Sequence, residues 1–231
     1  MKDISTYITE KLKLNKDSQK QYLYKPADRH ELHLLLKKLL KERGPDADLT
    51  DIDTSAITDM SFLFNNLDPH NIDISEWDVS HVVNFSYMFP ECVNFNCDLS
   101  EWDISSAINT GGMFHSCAKF NSDVSRWNTS NIYTADSMFA GCKEFDSDVS
   151  DWDTSSLMYM PKMFKGCTKF NSNISKWDIS KVVSMFGALS DCTSFNHDLT
   201  KWDVGPRVNK RTMFTRCTSL KIIPEWYKAK K

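Results

Sequence analysis

Cysteine is the first side chain here whose chemistry and spacing invite a function. Six of the seven cysteines stand 25 residues apart, at Cys92, Cys117, Cys142, Cys167, Cys192 and Cys217. A thiol can ligate zinc, pair in a disulfide or act as a nucleophile. Zinc needs ligands that converge on one point, and these are spread along a line, so buried free thiols are expected. An odd count in a chain showing no export signal also argues against a disulfide framework. Cys97 lies outside the register and is the candidate exposed, reactive thiol.

Tryptophan follows the same interval, at Trp77, Trp102, Trp127, Trp152, Trp177 and Trp202. Such a series could stack sugars or bases, but in register with other apolar positions it reads as core. Asp78, Asp103, Asp153, Asp178 and Asp203 form a carboxylate series that could hold calcium. Asn128 interrupts it, and the glycine-rich nonapeptide spacing of calcium-binding repeats is absent. His30, His33, His70, His81, His115 and His197 fall in unrelated positions. No glycine-rich phosphate loop, His-Glu-x-x-His pair or Gly-x-Ser-x-Gly elbow occurs. No catalytic residue, metal or cofactor is therefore assigned, and an enzyme with its site on the ladder face is the least favoured reading.

The element that must position these residues is a 25-residue unit, as in MFHSCAKFNSDVSRWNTSNIYTADS. Phe95, Phe120, Phe145, Phe170 and Phe195 each follow a cysteine by three residues, and Leu220 takes the sixth place. Seven units run over 49–223. The first carries Ile52, Leu67 and His70 in the tryptophan, cysteine and phenylalanine places, and the last runs into a terminal segment, 224–231. Degenerate ends suit a stacked array, whose outer faces lack a neighbour.

Apolar sites at Met113, Phe114, Cys117, Phe120, Val124 and Trp127 are spaced 1, 3, 3, 4 and 3. The first part predicts a short helix ending near the cysteine, and the Phe-Asn-x-Asp-Val-Ser stretch a short strand. The fold class expected is thus an α/β repeat solenoid of seven coils, each a short strand plus a short helix. Coils about 4.8 Å apart would make a rod of roughly 35 Å. Asp-x-Ser after Trp77, Trp102, Trp152 and Trp177 suits a turn and helix start. Asn96, Asn121, Asn171 and Asn196, with Asp146 in one copy, suit a tight corner that bonds the backbone of the next coil.

These motifs resemble the BspA-type leucine-rich repeats, the 25-residue "surface protein" repeats of many bacteria and some of their viruses. The resemblance covers about three quarters of the chain. It implies a leucine-rich-repeat-like solenoid, a role in protein or cell-surface binding, and no family-wide catalysis. Members acting at the cell surface carry a secretion signal and an anchor, and neither is seen here, so a cytoplasmic or virus-associated setting is expected.

Residues 1–48 lack the repeat and are expected to be helical. One helix is predicted from about Ile4 to Leu14. A second is signalled by Asp28 with Glu31 as a capping box, Leu32, Leu35, Leu36, Leu39 and Leu40 as an apolar stripe, and Gly44-Pro45 as its end. This module reads as a cap on the first coil, with a docking module as the alternative. No apolar run approaches a membrane span.

A net charge of −3 conceals a gradient. Residues 1–48 carry +3, residues 49–148 carry −13 and residues 149–231 carry +7. The residue before each tryptophan follows the drift, through Glu76, Glu101, Arg126, Asp151, Lys176 and Lys201. Those six are the candidate partner-binding residues. Such a field steers and orients a partner. A protein partner is expected; nucleic acid is disfavoured because the aromatics belong to the core, and head-to-tail self-association is an alternative use of the gradient. The reading is a non-enzymatic protein-binding scaffold, bacterial or phage-associated, with a secreted or surface adhesin as the alternative.

Overall fold

In the computed structural model, residues 21–228 are described. The helix expected over Ile4 to Leu14 lies outside them. Helix α1, Arg29–Arg43, begins where its sequence places it. Asp28 Oδ1 accepts from the Glu31 amide at 2.9 Å, and Glu31 Oε2 reaches back to the Ala27 amide at 2.9 Å. The first satisfies a donor that a helix start leaves free, and the second ties the residue before the cap to the first turn. Gly44 ends the helix at φ 90°, its amide donating to the Leu40 carbonyl. Leu32, Leu36 and Leu39 are buried in the core.

The 25-residue units stack, but not as strand-plus-helix coils. Among the described residues the regular elements are α1, a three-residue 3-10 turn at Ile174–Lys176 and a terminal one-turn helix α2, Glu225–Lys228. No strand forms among the described residues: neighbouring units meet in single parallel bridges, such as Asn84 to Asn109, Asn109 to Thr134 and Thr134 to Tyr159. The expected α/β solenoid is thus overturned.

What replaces the helix is a run of linked turns. Gly112, Phe114 and Ser116 donate their amides to the carbonyls of Asp136, Met138 and Ala140, 24 residues ahead. The intervening Met113, His115 and Cys117 donate to carbonyls three residues back. Turning alternate amides in opposite directions needs left-handed backbone. Two positions per unit supply it: Phe62, Tyr87, Gly112, Ser137, Lys162, Gly187 and Thr212 in one series, and Asn66, Glu91, Ser116, Gly141, Gly166, Asp191 and Arg216 in the other. A positive φ at the third residue is what a type II turn requires. Most of these residues are not glycine, so no glycine pattern announces them. At Gly112 the requirement is space: an added Cβ would come within 2.5 Å of the Tyr87 ring.

What replaces the strand is a side-chain ladder. Asn96 Oδ1 accepts from the Asn121 amide, Asn121 from Asp146, Asp146 from Asn171 and Asn171 from Asn196, at 2.8–3.2 Å. An acceptor is all the corner needs, which is why aspartate serves at 146. Ser122, Ser147 and Ser172 hydroxyls accept from the amides of Leu99, Val124 and Val149. Backbone groups that a sheet would pair are satisfied here by side chains.

Tryptophan and cysteine line the interior. Each ladder tryptophan is 4–5 % exposed, and its indole N–H donates to a carbonyl 28 residues back, as Trp127 does to Leu99 at 3.0 Å. Cys117, Cys142, Cys167, Cys192 and Cys217 likewise direct their thiols to carbonyls 28 residues back, at 2.8–3.0 Å. Phe89, Phe114, Phe139 and Phe164 stack at 5.6–5.7 Å between ring centroids.

A helix packs on each end of the stack. At the first unit, Arg29 Nη1 donates to the Ser61 carbonyl and His33 Nδ1 to that of Leu63, each at 2.8 Å. The equivalent carbonyls in the next unit, Ser86 and Met88, accept from Phe62 and Phe64. Thus α1 side chains stand in for the amides of a missing unit. At the other end α2 lays Trp226 on Trp202, centroids 6.1 Å apart, with its indole donating to Leu199 at 2.9 Å.

Candidate partner-binding surface

Stacking at a fixed interval converts each sequence position into a column on the surface. Glu76, Glu101, Arg126, Asp151, Lys176 and Lys201 are all exposed and occupy one such column. Each precedes a buried tryptophan, at the end of a turn such as Val124 to Trp127 whose amide and carbonyl close it. The buried ring fixes the turn, and the turn presents the neighbouring charge to solvent. The six residues are brought together as a line that runs from acidic to basic.

The flanking aspartates are already engaged. Asp103 and Asp153 accept from the amides of Ser105 and Ser155, and Asp123 and Asp148 from those of Ser125 and Ser150. These are Asx turns, not helix starts. Bonds from the Ser155 and Ser105 hydroxyls and amides hold the Asp153 and Asp103 carboxyls below their ordinary range. Among the described residues no group of three or more His, Cys, Asp or Glu side chains is placed to hold a metal ion.

The thiols are buried without exception among the seven. Burial pushes Cys92 up to about 12 and Cys217 up to about 11. Cys97 corrects an expectation: it is 5 % exposed, and burial raises its pKa far above the thiol range. It occupies the column of Ser122, Ser147 and Ser172, facing inward, so it presents no reactive surface thiol. A departure from the cysteine register implied nothing about exposure, because another inward column was available to it.

A second surface feature went unread in the sequence. Val83, Ile108, Tyr133 and Val183 are 41–50 % exposed, and Met158 and Val208 are half-buried in the same column. All but Val208 follow a core residue, as Val83 follows Val82 and Tyr133 follows Ile132, both buried. An apolar doublet in extended backbone sends its members to opposite faces, and that was the available signal. The backbone under this column is paired: Ile108 donates to Val83, Tyr133 to Ile108, and Met158 to Tyr133, at 2.9–3.0 Å. The column therefore offers side chains and not a free strand edge. The Tyr133 ring meets Tyr159 edge-on at 5.5 Å.

A family model described as "Mycoplasma protein of unknown function, DUF285" matches residues 36–150 and 134–229. The chain belongs to the DUF285 family. No curated protein and no solved structure matches it. The DUF285 match begins inside α1, at Leu36, and so takes in part of the buried stripe of the cap together with the repeats. No described helix is long and apolar enough to cross a membrane.

Proposed function

We propose that this chain is a non-enzymatic scaffold that binds a protein partner through its charge-graded surface. The observation that carries the reading is the exposed column from Glu76 to Lys201, held in line by the buried tryptophans beside it. Its aspartate neighbours hold the turns by bonds to serine amides, and the column residues are exposed on that regular frame. A graded line of charge discriminates partners by orientation and accelerates encounter more than it adds affinity.

The test is a charge reversal at the basic end, Lys176→Glu with Lys201→Glu. Both side chains are exposed, so the unfolding midpoint should be unchanged. Binding of the partner recovered with the wild-type chain should weaken, and the slope of affinity against salt should flatten. An affinity identical to wild type across the salt series would sink the proposal.

A further inference from the structure

The apolar column invites a different partner. From Val83 to Val183 it runs through Ile108, Tyr133 and Met158 at a constant interval, so Tyr133 is its midpoint. Five evenly spaced side chains span about 19 Å at the usual strand separation. Monomeric proteins seldom leave a continuous apolar strip of this kind uncovered.

We infer that this column is the contact between two copies of the chain, packed side by side and antiparallel about a twofold axis at Tyr133. Three observations select a second copy. A line of equivalent side chains symmetric about its centre is self-complementary: Val83 meets Val183, Ile108 meets Met158, and Tyr133 meets itself. A twofold contact requires that property. Charge on the same face then matches. In the stretches 54–62, 79–87, 104–112 and 129–137, which carry this face in the first four units, the only acidic or basic side chains other than histidine are Asp59 and Asp136. The corresponding stretches of the last three carry Lys162, Lys181, Arg207, Lys210 and Arg211. Antiparallel packing brings the unit with Asp59 opposite the unit with Arg207, Lys210 and Arg211 and sets only Asp136, in the central unit, against its own copy, whereas parallel packing sets every one of these charges against its like. Finally, α1 side chains occupy the carbonyls of the first unit, which directs self-association to the side of the stack and away from head-to-tail growth. A stable interface buries about 800 Å² on each partner, so the polar columns beside the strip, such as His81 with Lys181 and Asn84 with Ser184, form its rim.

This contact is separate from the charged column of the proposed scaffold, and one set of variants distinguishes them. Sedimentation equilibrium of the full 231-residue chain should give twice the 26.7 kDa monomer mass, with the dissociation constant rising with salt. Tyr133→Glu, which sets two carboxylates face to face on the axis, should raise that constant about 100-fold or more. Ile108→Lys should do the same, and both should keep the wild-type unfolding midpoint. Lys176→Glu with Lys201→Glu would weaken capture of a foreign partner, whereas Tyr133→Glu would abolish the dimer. Register is read by disulfide trapping, in which the native thiols are buried and do not compete. Tyr133→Cys should cross-link to itself. Val83→Cys should cross-link to Val183→Cys in a mixture and not to itself. A monomer at every concentration up to about 100 μM would overturn the inference. So would self-linking of Val83→Cys, dimers unaffected by Tyr133→Glu, or open-ended oligomers.

Discussion

At the scale of single residues, the repeated side chains do two jobs at once. Trp127 fills the interior and also bonds the Leu99 carbonyl with its indole N–H. Two substitutions separate those roles. Trp127→Ala should cost about 3–5 kcal/mol in urea unfolding, the range for a truncated buried aromatic. Trp127→Phe, which keeps a ring but loses the donor, should cost nearer 1 kcal/mol, because the Leu99 carbonyl retains its turn bond from Trp102. Equal losses would mean that the hydrogen bond, and not the ring, holds the unit. Much at this scale was legible in the sequence. The tryptophan and cysteine ladders read as core, and the asparagine corners read as bonds to the next unit, because each depends on one residue type recurring at one interval. Cys97 was misread because an interval says where a residue recurs and not which way it points. Trp226 went unread because it sits 24 residues beyond Trp202 while every other step in the series is 25.

At the scale of elements, the sequence was least legible, and the reason is geometric. Met113, Phe114, Cys117 and Phe120 have a helix-like spacing because each linked turn advances the chain by three residues, close to the advance of one helical turn. The left-handed positions of Gly112 and Ser116 that distinguish the two are held by glycine in some units and by residues such as tyrosine, serine, lysine or arginine in others. Helix α1 was plain by contrast, since Asp28, Glu31 and Gly44 act through local bonds that do not depend on the stack. Its function as a substitute unit rests on Arg29 and His33. Replacing them together, Arg29→Met with His33→Leu, removes donors from the Ser61 and Leu63 carbonyls. Amide hydrogen exchange should accelerate in the first repeats, by local opening easier by about 1–3 kcal/mol, and stay unchanged beyond residue 150. Uniform acceleration along the chain would show that the cap controls global unfolding instead.

At the scale of the whole molecule, the Asx turns link stability to acid. Asp53, Asp103, Asp153 and Asp178 have carboxyls held below the ordinary value of 3.8, first by the hydroxyl of the serine two residues on. A depressed folded value means that the charged form is preferred in the folded chain. The stability it contributes is complete above that ordinary value and is lost as pH falls through the lowered folded ones. Urea midpoints should therefore show no loss from these groups between pH 7 and 5 and a fall below about pH 4. A decline already complete above about pH 5 would show that these carboxyls do not set the dependence. The gradient from −13 to +7 was legible as a count, whereas the apolar strip became visible only once stacking set equivalent residues side by side. Between units, every contact joins one position to the same or a nearby position in the adjacent copy, as Asn121 reaches Asp146 and Asp146 reaches Asn171. Excising 25 residues between the two terminal units would thus rejoin matching partners. The gene for such a protein is a ruler, extendable or shortened by unequal exchange in steps of about 4.8 Å.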